Sequence, residues 1–180
     1  FGVAAYGIIA NTAYVVISIF NGITQGSQPL LSDYYARNRR REELQILRCS
    51  IITAVVLGGL IWLGVTAFAP QITDIFNSEH NAVLAQAAVP GLRIYFIGFW
   101  LTGINLMLAA YFAAVERTGA SFAVSIFRGL VGIVCFVVLF SRLFGMTGVW
   151  MSFPVTELAD CALALALYFL LRKRRVEKTA

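Results

Sequence analysis

Five apolar runs divide this sequence, covering about residues 2–31, 44–69, 83–115, 120–140 and 148–171. Each reaches or exceeds the ~20 residues that a helix needs to cross ~30 Å of hydrocarbon. Inside a bilayer the backbone must satisfy its own hydrogen bonds, which helices do and open strands do not. A membrane β-barrel would instead show alternating segments of about ten residues, and the runs here do not alternate. The composition agrees: 59% of the 180 residues are hydrophobic and 13% charged, against roughly 45–50% and about 25% in soluble domains. A soluble core of this size cannot hide so much apolar surface. The expectation is an all-α integral membrane protein, a single membrane domain of five transmembrane helices.

A net charge of +5 invites a nucleic-acid reading until the charges are located. Arg37, Arg39, Arg40, Arg41 and Arg48 follow the first run, Arg117 follows the third, and Arg172, Lys173, Arg174, Arg175 and Lys178 end the chain. The opposite side carries Arg142 together with Asp74 and Glu79. This segregation points to a membrane surface, with no nucleic-acid partner, and by the positive-inside rule the basic side is cytoplasmic. The chain then begins outside and ends in the cytoplasm. Its first residue is Phe1 and FGVAAYGIIA lacks a basic n-region or a cleavage site, so the opening is no signal peptide. The expectation is the C-terminal part of a longer protein; an intact five-helix protein is the other reading.

Polar residues within the runs are costly in lipid and therefore informative. Asn11, Ser18, Gln25 and Ser32 recur every seven residues in the first run, with Gly7 and Gly22 beside the same stripe. Two helical turns separate each pair, so they share a face. Two readings fit: a tightly packed helix–helix interface, or a wall of a hydrated cavity. Pro29 near the cytoplasmic end permits a bend. In the third run Gly91, Gly98, Thr102, Asn105 and Ala109 share a face, while Arg93 near the outer end is placed to snorkel. Most of the aromatics there (Tyr95, Phe96, Phe99, Trp100, Tyr111, Phe112) should face lipid or neighbouring helices. The fourth run sets Ser121, Ser125, Arg128, Gly132 and Cys135 at steps of four, three, four and three.

The fifth run carries Glu157 and Asp160 one turn apart, after Pro154. An ionised carboxylate in low dielectric is expensive, so protons or cations compete for it, and two at this spacing titrate as a pair. That suits an ion-coupling site. The alternative is structural, an ion pair of Arg128 with Glu157 or Asp160 that ties two helices together. Cys49, Cys135 and Cys161 have no CxxC spacing and read as small buried hydrophobes, neither disulfides nor a metal site. His80 is the sole histidine, and no phosphate loop, metal-ligand cluster or nucleophile–base spacing is present. The chain reads as no enzyme, with no cofactor and no bound metal.

Three stretches now carry a resemblance. FNGITQGSQPLLSDYYARNRR, a polar helix end with Gln-Pro and then a basic loop, resembles the eighth helix of the multidrug and toxic compound extrusion (MATE) family. GLRIYFIGFWLTGINLMLAAYFAAVERT resembles its tenth. SIFRGLVGIVCFVVLFSRLFGMTGVWMSFPVTELAD resembles its eleventh and twelfth, with the Arg, the Gly-x-x-Gly-x-Trp turn and the Pro-x-x-Glu. The Gln-Pro and Pro-x-x-Glu details are most similar to the bacterial MepA-type branch. The likeness spans nearly the whole chain in the right order. It implies a twelve-helix transporter of two six-helix lobes, this chain being helices eight to twelve, most of the second lobe, with the N-terminal lobe absent.

The resemblance further implies a multi-pass protein of the cell (plasma or inner) membrane, an efflux antiporter that exports lipophilic organic cations in exchange for Na⁺ or H⁺. It puts Asn11, Gln25 and Asn105 at the central cavity, Glu157 in its outer half and Arg128 as a structural intramembrane charge; with Ser18 and Asp160 from the spacing above, the cavity candidates are Asn11, Ser18, Gln25, Asn105, Glu157 and Asp160. One departure is Ala36, where the family usually has Gly, which puts the tightness of that loop turn in doubt. Two rivals remain: a lipid-linked oligosaccharide flippase of the same superfamily, which would want more cavity-lining cations than Arg93 and Arg128, and a non-transporting membrane scaffold.

Overall fold

The computed structural model describes residues 2–77 and 81–177. Phe1, Glu79, His80 and Lys178, and the side chains of Arg174 and Arg175, lie outside the described residues. Every element is helical: α1 (Gly2–Ala36), α2 (Arg40–Ala67), α3 (Ala69–Phe76), α4 (Ala82–Tyr95), α5 (Phe99–Ala114), α6 (Thr118–Ile126) and α7 (Ile133–Glu177). A 3₁₀ turn at Phe96–Gly98 joins α4 to α5, and a π turn at Phe127–Gly132 joins α6 to α7.

Four continuous stretches are long and apolar enough to cross a membrane, the last being Thr118–Lys173, of 56 residues. At 1.5 Å per residue that stretch would run to roughly 84 Å if straight, far beyond one crossing. It folds back instead. Gly145 takes φ 59° and ψ −132°, a backbone state open to glycine and closed to most side chains. Just past it, Gly148 presses on the backbone carbonyl of Phe140, where a Cβ would collide. The two arms of this hairpin supply the fourth and fifth crossings.

The helices run further than the apolar pattern does. α1 continues past Leu31 through Ser32 and Asp33 to Ala36, because a helix remains the cheapest way to bond backbone groups as it leaves the bilayer. It closes with Arg39 N–H donating to the Tyr34 carbonyl at 2.9 Å and Asn38 N–H to Tyr35 at 3.0 Å. Asn38 itself is left-handed, with φ 55°. This is a Schellman ending, and Asn is among the residues that enter that region readily. The doubt about Ala36 is thereby answered: it stays helical, and the sharp turn is made two residues later. α5 ends the same way, with Arg117 N–H on the Phe112 carbonyl at 2.7 Å and Glu116 at φ 59°.

α3 is an element that hydropathy alone misses. It is too short to cross, and the sequence around it reads as loop. Proline in its first turn starts it, since that position needs no N–H donor. The connection to α4 is held by Asn77 and Asn81. Asn77 Nδ2 donates to the Asn81 carbonyl, and its Oδ1 accepts from Asn81 N–H, both at 3.0 Å. Asn81 Oδ1 in turn accepts from Val83 N–H, which caps α4.

α5 is the axis of the bundle, packed against α1, α2, α6 and α7. The 3₁₀ turn before it brings residues three apart into near register, so the rings of Phe96 and Phe99 stack at 4.8 Å. Phe153 of α7 lies against Phe99 at 5.3 Å and stacks on Tyr95 at 4.2 Å. The aromatics of the third run therefore face neighbouring helices; even Trp100, the most exposed of them, meets Trp62 of α2 edge-on at 6.2 Å. Gly58 lets α2 approach the Phe99 backbone closely, the small-residue packing typical of membrane helices. Ile52, Val56, Leu60 and Leu63 are exposed along one stripe of α2, an outer face suited to lipid. Cys49 and Cys135 also lie exposed, and only Cys161 is buried. The expectation of three buried cysteines thus fails for two, because an apolar residue on a membrane helix is as stable on the outer face as inside.

Candidate functional site

The polar centre of the bundle is assembled from α5, the π turn and α7. Glu157 is fully buried. Arg128 Nε donates to its Oε1 at 2.7 Å. Asn105 Nδ2 lies 2.8 Å from Oε2 and 2.9 Å from the Glu157 backbone carbonyl. Thr102, fully buried, stands beside the same carboxylate while its hydroxyl donates to the Gly98 carbonyl at 3.1 Å. The π turn contributes Arg128. Widening the helix by one residue per turn shifts side-chain direction locally, a distortion often found at functional sites. Gly132, one turn on, leaves space for Thr156, so the hairpin arms come close enough for the ion pair.

Burying two charges costs several kcal/mol per ion, and geometry of this quality with extra donors is what repays it. Glu157 has that support. Asp160 does not: it is also fully buried, yet neither carboxylate oxygen has a hydrogen-bond partner among the described residues. The charges facing it are Glu157 and Arg128. The group Arg128, Glu157 and Asp160 therefore holds one cation against two carboxylates. Asn105 Oδ1 is buried and unpartnered as well.

The six cavity candidates separate into two sets. Asn105, Glu157 and Asp160 come together with Arg128 in the interior. Asn11, Ser18 and Gln25 do not join them: with Ser32 they lie exposed on α1. Ser18 Oγ donates back to the Tyr14 carbonyl at 2.9 Å, and no other described helix covers the stripe. Within the described residues it is thus no helix–helix interface. Arg93 is exposed on α4.

Sequence reasoning passed over one buried acid. Glu43 is fully buried and accepts from the Tyr111 hydroxyl at 2.8 Å. Among the arginines of the loop it reads as a solvated charge. The available signal was spacing: Glu43, Leu47, Ser50 and Ala54, all buried, fall on one face of α2.

The chain as a whole is similar to known proteins. The family model described as MatE matches residues 1–138. The multidrug export protein MepA of Staphylococcus saprophyticus is 27% identical over 176 residues, which is 97% of this chain and 38% of that protein. MepA of a Staphylococcus aureus strain is 25% identical, covering 100% of this chain and 39% of the relative. The chain thus spans about two fifths of the length of these relatives. Among solved structures, an outward-facing multidrug resistance MATE family transporter of the MOP superfamily superposes with TM-score 0.89 at 21% identity, over 98% of this chain and 39% of its own. An inward-facing structure of such a transporter gives 0.85 at 21% identity, over 98% of this chain and 40% of its own.

Proposed function

The chain belongs to the MatE family, and from that premise we propose that it forms most of the second lobe of a multidrug efflux antiporter. The whole transporter exports lipophilic organic cations in exchange for Na⁺ or H⁺, by alternating access of two lobes around a central cavity. Its basic side, with the C-terminus, faces the cytoplasm of a cell whose plasma or inner membrane it crosses. The exposed stripe of Asn11, Ser18 and Gln25 faces the central cavity, opposite a first lobe like that of the longer relatives.

The observation that carries the reading is Asp160, a buried carboxylate with no donor among the described residues, one turn from a carboxylate that has several. With Arg128 committed to Glu157, the interior keeps one negative charge too many unless a proton or small cation neutralises it. An antiporter needs such a charge. When the neutralising cation leaves, the bundle must rearrange to stabilise the anion, and that links occupancy to conformation. Substrate and coupling ion then stabilise opposite-facing states, so each drives the other's release. The flippase alternative requires cations on the cavity wall, and the α1 stripe offers amides and hydroxyls.

The test is Asp160→Asn and, separately, Glu157→Gln in the full-length transporter, scored by efflux of a lipophilic cationic dye and by membrane abundance. Asp160→Asn at normal abundance is expected to abolish ion-driven efflux. Unchanged efflux removes Asp160 from coupling, and with it the main support for this reading.

A further inference from the structure

We propose that the basic face of this bundle holds an anionic phospholipid, with its phosphate among Arg40, Arg117 and Arg172 and an acyl chain along a groove between α2 and α7. The three arginines line one narrow pocket with Tyr35, Tyr111 and Tyr168. They come from three separate places in the chain: the first residue of α2, the loop before α6 and the end of α7. Two of them are delivered by the Schellman endings. The turn at Asn38 leads into Arg40, and the turn at Glu116 puts Arg117 next in line. A left-handed non-glycine residue such as Glu116 costs roughly 1–2 kcal/mol, and strain of this kind is kept where the surrounding structure has a use for it.

None of the three arginines pairs with an acid among the described residues. Glu43, the acid behind the pocket, is engaged with Tyr111. Three guanidinium groups set against Glu43 leave the pocket with excess positive charge, and they are donors that a phosphate diester takes up. Two helices, α2 and α6, also begin beside it, and neither has a side-chain cap; their free N–H groups and dipoles add to the attraction.

An apolar groove adjoining the pocket distinguishes a lipid from a free phosphate. Tyr168 lines both. From it the groove runs along α2, α5 and α7 away from the three arginines, past Leu47 and Ile51 of α2, Leu108 of α5, and Leu165 and Phe169 of α7, with Arg48 of α2 as the one charged residue on its wall. A polar head at the helix ends and an apolar cleft leading from it towards the membrane centre match a phospholipid standing in one leaflet. Basic pockets between helix ends on the cytoplasmic side are known to suit such headgroups. This inference needs the chain to span a bilayer, and it does not depend on transport.

Native mass spectrometry of the detergent-purified full-length transporter, equilibrated with phosphatidylglycerol and phosphatidylcholine at equal mole fraction, tests it. Retention of phosphatidylglycerol over phosphatidylcholine is expected. Arg117→Gln should lower that preference about fivefold, the worth of one arginine near an anionic surface, and Arg40→Gln/Arg117→Gln/Arg172→Gln should abolish it. Leu165→Trp, which fills the groove, should weaken phosphatidylglycerol retention with the arginines intact. Equal retention of both lipids, or a preference untouched by Arg117→Gln, overturns the proposal. Displacement of the lipid by millimolar inorganic phosphate, with Leu165→Trp silent, overturns the lipid in favour of a phosphate site. Arg117 sits in a loop, so the single variant reads out even if the triple variant does not fold.

Discussion

Two polar regions of this bundle obey opposite rules. In the interior, Glu157 receives Arg128 and Asn105 at 2.7 and 2.8 Å, and its atoms are sealed from solvent. On α1, Asn11, Ser18 and Gln25 lie exposed on a helix whose surroundings elsewhere are apolar. The first region spends its polarity inside the lobe, tying the hairpin to α5. The second spends none of it there. A membrane protein keeps unpaired amides on a surface only where water, a ligand or another part of the protein meets them. The contrast separates groups that hold the lobe together from groups that the lobe presents, and variants of the two kinds should fail differently.

The largest effect is expected at the ion pair. Arg128→Met leaves Glu157 buried without its cation, which typically costs about 3–5 kcal/mol. The full-length protein should lose membrane abundance and melt at markedly lower temperature. Because a buried pair often gives way to apolar side chains at little cost, Arg128→Met/Glu157→Met should recover much of the stability. If the single variant is as stable as the parent, Arg128 does not organise the lobe. A double variant no better than the single would mean that the arginine acts through something other than Glu157.

The hairpin comes next. Gly148 faces the Phe140 backbone with no room for a Cβ, so Gly148→Ala must push the arms apart, at about 1–3 kcal/mol for overpacking. The Arg128–Glu157 bond spans the same two arms, and the two losses should therefore not add when combined. Additive shifts in melting temperature would show that the turn and the ion pair are energetically separate, which weakens the picture of one polar centre set by one hairpin.

How much of this was legible in the sequence follows from what a single helix can reveal. Length and hydropathy marked five crossings, and a Gly-x-x-Gly-x-Trp turn marked the hairpin that Gly145 and Gly148 make. Steps of three and four put Arg128 on one face, and Glu157 with Asp160 on another. Spacing within a helix gives the face but never the neighbour. Hence the sequence left Arg128 with two possible partners and could not separate the ion-paired Glu157 from the unpartnered Asp160. The π turn was invisible because no residue type demands it. α3 was missed because eight residues are too few to register in hydropathy, and Glu43 because a charge beside arginines reads as solvated until its apolar neighbours on the same face are counted.

The smallest effect on stability, and the sharpest use of the comparison, belongs to α1. Gln25 is exposed and makes no side-chain hydrogen bond to a described residue. Gln25→Leu removes nothing that the lobe uses, and its stability cost should stay within about 0.5 kcal/mol, as for most surface changes. Apolar exposure on a membrane helix is tolerated, so abundance should also hold. Efflux should not: if the stripe lines the path of a cation, replacing an amide oxygen with a methyl group removes a favourable contact for every substrate that passes it. The measurement is dye efflux from cells at matched abundance, with Val56→Leu on the exposed outer stripe of α2 as the control. Reduced efflux for Gln25→Leu with an unaffected control assigns the stripe to the cavity. If both variants transport normally, the stripe plays no part in substrate passage. If Gln25→Leu instead lowers the melting temperature by as much as Gly148→Ala, the amide is packed against a part of the longer protein, and α1 belongs with the groups that hold the protein together.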